Sequence, residues 1–212
     1  VTLWRGSRVL PLERGGGTPH PKDMKQVSLD FTGKMLIAMP GMGDPRFEHC
    51  VVYMCAHSYD GAMGLIVNKP ATDIGFADLL EQLGIPVGEG LRDIRVHFGG
   101  PVEHGRGFVL HSADYEAETG TMKVDDQVAM TATIEVLEQI AKGEGPASSM
   151  LALGYAGWGP GQLEDEIAAN GWLTCDARSD ILFGRANEHK WTAALKTMGI
   201  DPLILSASAG RA

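Results

Sequence analysis

The segment His49-Cys50-Val51-Val52-Tyr53-Met54-Cys55-Ala56-His57 gathers thiols and imidazoles as no other part of the chain does. A metal centre or a thiol–imidazole pair would need these side chains to converge. The β-branched and aromatic residues between them predict a strand, in which alternate side chains face opposite sides. Cys50 then lies on one face and His49, Cys55 and His57 on the other. At ~3.3 Å per residue, His49 and Cys55 stand ~20 Å apart. Only Cys55 and His57 remain neighbours, and two groups do not close a zinc site. A nucleophilic cysteine needs access and a lowered pKa; a thiol in an apolar strand is otherwise an inert core residue. Core packing is the expectation here, with Cys55 kept as a candidate reactive thiol and no metal centre expected.

Two glycine-rich loops invite a phosphate-binding reading. Gly100-x4-Gly105-Arg106-Gly107 approaches a P-loop, but Arg106 and Gly107 replace the Lys and the Ser or Thr. The following Phe-Val-Leu-His reads as a strand where the motif needs a helix. Gly157-Trp158-Gly159-Pro160-Gly161 opens onto a helix N-terminus, a natural anion site, yet Glu164, Asp165 and Glu166 in the opening turns would repel an anion. Trp158 is either a core plug or one wall of a pocket. His97, His104 and His111 recur every seven residues across a predicted hairpin, where that spacing aligns nothing. Neither a G-x-S-x-G elbow in a strand-to-helix setting nor an H-E-x-x-H helix occurs.

These residues must be carried by a chain rich in strands at first and in helices later. Lys34–Met39 and Cys50–Ala56 read as buried strands. Tyr59-Asp60-Gly61 reads as a hairpin turn into Ala62–Val67. Phe76, Leu79, Leu80 and Leu83 form the stripe of a short helix closed by Gly84. Ile94–Phe98 and Gly107–His111 read as strands around a 99–105 loop, and Val124–Met130 as one short strand. Thr131–Lys142 fits a helix with Thr131 as N-cap. Ser149–Leu153 reads as a buried strand, Pro160–Ala169 as a helix and Trp172–Cys175 as extended. A last helix, Asn187–Met198, places Trp191, Leu195 and Met198 on one face. Tight turns between early strands predict mixed or antiparallel pairing instead of a doubly wound parallel sheet. The fold class expected is therefore α/β of the α+β type: a mixed, largely antiparallel sheet or partial barrel flanked by helices.

Composition sets the outer bounds. The 212 residues are 44% hydrophobic and 21% charged, with a formal charge of −9. Those fractions suit one globular domain and rule out wholesale disorder. No run approaches the ~18 apolar residues of a membrane-spanning helix. Residues 1–23 carry four basic and two acidic side chains, so residues 24–212 carry 14 basic and 25 acidic ones, or −11. That balance argues against a broad nucleic-acid surface, which needs clustered Lys and Arg. The glycine- and proline-rich first 23 residues read as an irregular arm or as an over-long start ahead of Met24, leaving 24–212 as a single domain. Three cysteines, an odd number without the dense spacing of a disulfide scaffold, fit a reducing cytoplasm.

The chain resembles the bacterial YqgE/AlgH family. The resemblance runs through Gly33–Pro40, Asp44-Pro45-Arg46-Phe47, Val51–His57, Gly61–Pro70, Gly99-Gly100-Pro101-Val102 and Arg106–His111. It continues at Leu153–Trp158, Gly161–Glu164, Trp172-Leu173 and Ile181–Phe183. It departs at Ala56, where many relatives have Glu beside His57, and at the end, which reads Ala-Gly-Arg-Ala where relatives often have Ala-Gly-His-Ala. The resemblance implies a small cytosolic α/β protein, no cofactor, and a transcriptional-regulator label drawn from a genetic link to alginate production. The polar members of these blocks fall in loops, and loop positions often carry function. Asp44, Asn68, Gly100, His111, Trp158 and Gln162 are thus the candidate ligand-binding residues of one shallow cleft. The competing reading makes Asp44 and Asn68 turn caps bonding their own backbone. The expectation is a non-enzymatic regulatory or binding protein whose partner is a protein or small-molecule ligand, with direct nucleic-acid binding and membrane association not expected. The alternative is a small-molecule hydrolase or thiol-based redox enzyme using Cys55, His57 or His111.

Overall fold

A computed structural model describes residues 30–208. The expectations for the arm at 1–23, the Met24 start and the end at 209–212 lie outside the described residues. Strands β1 (Lys34–Ala38), β2 (Val51–Ser58), β3 (Gly61–Ile66), β4 (Val96–Phe98), β5 (Val102–Ser112), β6 (Thr121–Lys123), β7 (Val128–Thr131), β8 (Ser149–Trp158) and β9 (Trp172–Asp176) form one sheet. Its order is β6-β7-β5-β8-β3-β2-β1-β9, with β4 also on β8. The strand pairings are antiparallel except for the parallel β4–β8 pair. The sheet curls into a half-barrel, the mixed, largely antiparallel α+β architecture anticipated. Helices α1 (Phe76–Gln82), α2 (Ile134–Ala141), α3 (Gln162–Ala168), α4 (Ser179–Leu182), α5 (Asn187–Thr197) and α6 (Pro202–Ser208) accompany it. No described helix is long and apolar enough to cross a membrane.

Strand alternation builds two cores on the two faces of β1, β2 and β3. Met35, Ile37, Val51, Tyr53, Cys55 and Leu65 pack with Trp191, Ala194 and Leu195 of α5. Leu36, Val52, Met54 and Ile66 pack with Trp158, Leu163 and Trp172. Both faces being covered, these strands read as unbroken apolar runs. A third core joins α1 and α2 to Val96, Val109 and Leu151. Irregularities redirect side chains at two places. Along β8, Met150 and Ala152 enter the α5 core while Ala156 and Trp158 enter the opposite one; the switch falls at Gly154, whose φ of +73° suits glycine. Along β2 the register shifts between Met54 and Ala56, so Cys55 joins the α5 core while His57 turns to Phe31 and α3. Simple alternation placed Cys55 and His57 side by side, and the bulge separates them.

Other expectations need correction. Val124–Met130 is not one strand: residues 124–127 are the turn of the β6–β7 hairpin, held by Asp125 Oδ1 accepting from the Gln127 and Val128 N–H groups, and β7 begins at Val128. Thr131 ends β7 instead of capping a helix; α2 begins after Thr133. Helix α3 starts at Gln162 and not at Pro160, because Gly161 between them takes a left-handed conformation that a right-handed helix cannot contain. Strands β4 and β5 do not form a hairpin: β8 runs between them. Met198 caps the end of α5 half-exposed, and the buried stripe is Asn187, Lys190, Trp191, Ala194 and Leu195.

Candidate functional site

A pocket of about 230 Å³ lies where the approach to β4, the start of β8 and the α4–α5 corner meet. The parallel register Val96↔Leu151 positions it, carrying Arg92–Arg95 alongside Ala147–Met150. Arg92 donates to the carbonyls of Glu144 (3.0 Å), Pro146 (2.6 Å) and Ala147 (3.2 Å), pinning the loop before β8. Arg95 Nη1 donates to the Arg185 carbonyl at 2.7 Å and so ties β4 to the α4–α5 corner. Lys190, 4% exposed, donates to the carbonyls of Val67 (2.8 Å) and Leu182 (3.0 Å), the end of α4. Arg185 completes the cationic lining, with Asp93 the one carboxylate, and Ile94, Met150, Leu182 and Phe183 supply an apolar part.

The electrostatics are lopsided. None of the four cations forms a salt bridge among the described residues. Three of them rest on uncharged carbonyl oxygens, which bind the donor hydrogens but leave the charge uncompensated. Burial, with Arg95 nearby, pulls the Lys190 ammonium down to about 8. His97 is also buried; Nδ1 is 3.2 Å from the Arg95 carbonyl and Nε2 3.2 Å from Asn187 Oδ1. Desolvation lowers its pKa and favours the neutral ring. The buried Asn187 amide nitrogen and Arg92 Nε have no partner. A concave site with fixed positive charge and spare donors can hold an anion. Among the described residues, no group of three or more His, Cys, Asp or Glu is placed to hold a metal.

None of the six predicted ligand residues lines this pocket. Trp158 and Gln162 come together at Glu166: both indole N–H groups of Trp158 and Trp172 donate to its Oε2, at 2.9 and 2.8 Å, and Gln162 Nε2 donates to its Oε1. Asp44 caps a 3₁₀ turn at Pro45–Phe47 and pairs with Arg46 at 2.6 Å; Phe47 of that turn meets Trp172 edge-on. Asn68 accepts from the Val51 N–H and donates to the His49 carbonyl, stitching the end of β3 to the start of β2. Gly100 presses on β8, and a Cβ there would overlap the Tyr155 backbone. His111 is fully buried elsewhere, with Nδ1–H donating to the Ser112 carbonyl and Nε2 accepting from Thr131 Oγ1, both at 2.8 Å. Burial lowers its pKa.

The thiol and imidazole candidates have equally definite surroundings. Cys55 is buried, its thiol pushed up to about 12 by desolvation, the opposite of what a nucleophile needs. The Phe31 N–H donates to His57 Nδ1, leaving Nε2–H to donate to Glu164 Oε1 at 2.9 Å. Glu164 of α3 thus supplies the carboxylate that Ala56 lacks. Sequence reasoning missed the pocket residues Arg92, Arg95, Arg185 and Lys190 and set His97 aside. The available signal was a lysine on the apolar stripe of α5, three residues after Asn187 and four before Ala194.

With this geometry in view, the AlgH-like family model (DUF179) matches residues 35–203. The chain belongs to the AlgH-like family. This AlgH-like chain is 58% identical over 184 residues to a UPF0301 protein of Cereibacter sphaeroides, covering 87% of this chain and 100% of the relative. A UPF0301 protein of Paracoccus denitrificans is 60% identical over 187 residues, covering 87% of this chain and 98% of its own length. The solution structure of the AlgH protein from Pseudomonas aeruginosa superposes with a TM-score of 0.71 at 41% identity, over 89% of the AlgH-like chain and 100% of that structure. A Corynebacterium diphtheriae crystal structure, at 18% identity and TM-score 0.65 over 87% and 93% of the two chains, shares the fold.

Proposed function

We propose that this AlgH-like protein is a non-enzymatic binding protein of the cytoplasm that takes a small ligand in the pocket between β4, β8 and α5 and regulates through contact with a partner. The observation that carries the reading is Lys190, a buried ammonium in a concave site without a carboxylate partner. Keeping such a charge dehydrated is unfavourable unless something in the site answers it. At about 230 Å³ the pocket is below the ~300–1,000 Å³ of drug-sized ligand sites, which suits a small metabolite. The buried thiol of Cys55 and the hydrogen-bonded ring of His111 support binding over hydrolytic or redox chemistry.

The test is amide NMR of the labelled chain against pools of small metabolites. Shifts concentrated at Arg92–His97 and Ala147–Met150 are expected. Shifts confined to the Trp158–Glu166 corner, or the absence of any ligand, would overturn the reading.

A further inference from the structure

Resting on that reading, we infer that the pocket is a binding site for a phosphoryl dianion carried by a small organic molecule. Four cationic side chains against one carboxylate leave more positive charge than a single carboxylate ligand would neutralise. They also come from different directions. Arg92 and Arg95 approach from the segment before β4, Arg185 from the α4–α5 corner and Lys190 from within α5. Donors spread over three segments suit a tetrahedral group with several acceptor oxygens better than one planar fork, which suits a carboxylate.

Spare hydrogen-bonding capacity points the same way. The Lys190 ammonium has three N–H bonds, and two meet the carbonyls of Val67 and Leu182. The buried Nε of Arg92, a residue that lines the pocket, is also unpartnered. Carbonyls already hold Arg92, Arg95 and Lys190 in place, so little side-chain freedom is lost when an anion arrives. Ile94, Met150, Leu182 and Phe183 line the same depression and would contact the organic portion.

Binding should depend on pH through Lys190. The charged and titratable groups sharing the pocket with it are Arg92, Asp93, Arg95, His97 and Arg185. A dianion favours the protonated amine, so affinity is highest where phosphate is doubly charged and Lys190 is still cationic, and it falls as alkalinity removes the Lys190 proton.

Isothermal titration of the full chain with inorganic phosphate, and separately with acetate, tests this. Phosphate is expected to bind at neutral pH, and Arg185→Gln, an exposed position that keeps the fold, to weaken it roughly tenfold or more. Lys190→Met should abolish the alkaline loss of affinity, and Asp93→Asn should tighten binding. Phosphate binding unchanged by Arg185→Gln, or none at millimolar phosphate, would overturn the phosphoryl assignment. Acetate binding that Arg185→Gln weakens, with phosphate silent, would overturn it too while leaving the pocket a binding site. No pocket shifts with phosphate, acetate or any metabolite pool would sink the binding reading as well.

Discussion

Lys190 is held by two carbonyl oxygens inside the fold, where water solvates its charge poorly. Desolvation, assisted by Arg95, lowers its pKa from the ordinary 10.5 to about 8. An unfolded chain keeps the proton to about pH 10.4. Between these two values the unfolded state binds more protons, so stability must rise with pH across that window, by up to about 3 kcal/mol, and the charge is a full burden below it. Urea unfolding of the wild type and Lys190→Met near pH 7.5 and near pH 10 is expected to show a larger alkaline gain in the wild type. Equal gains would mean that the ammonium is solvated in the fold. His97 and His111 obey the same sign at the acid end. Burial lowers both, so the stability they permit is present above about pH 6.5 and is lost as acid charges the unfolded rings.

Elements meet in this protein through glycines and bulges as much as through side chains. Gly100 lies against the Tyr155–Ala156 backbone of β8, where a methyl group would overlap main-chain atoms that cannot move aside. Gly84, with φ +69° at the end of α1, has open space around its Cα. Gly100→Ala is therefore expected to cost about 3 kcal/mol through overpacking, and Gly84→Ala about 1 kcal/mol through the left-handed backbone alone. Equal denaturation midpoints for the two variants would contradict the close approach. The starts of β1, β2, β3 and α1 were legible because local apolar runs and turn residues specify them. Strand β4 was legible as a strand, but its partner was not: pairing with β8, more than fifty residues away, is a long-range choice. Thr131 misled for the same reason. A Thr before an apolar run resembles an N-cap, yet here its hydroxyl serves His111 within the sheet.

At the scale of the whole molecule, the net charge of −9 coexists with one concentrated cationic depression. Such a depression attracts a small anion at short range, but the acidic surroundings repel a polyanion that must lie across a wide surface. The purified chain is therefore expected not to retard duplex DNA in a gel at low salt, where nonspecific attraction is strongest. A tight complex that weakens steeply with added salt would refute that.

The sequence by itself determined the class of fold, the order of the main elements, the acidic balance and the family, because these follow from local periodicity, composition and ordered blocks of residues. The tertiary structure alone decided which groups meet. Cys55 and His57 lie two residues apart and are sent to different faces by a bulge. Glu164 reaches His57 across 107 residues of chain. Arg92, Arg95, Arg185 and Lys190 stand in no recognisable motif, and they form one pocket because a parallel strand pair and a helix corner bring them together. Such a site depends on directions and distances set by packing, which residue spacing along the chain does not encode.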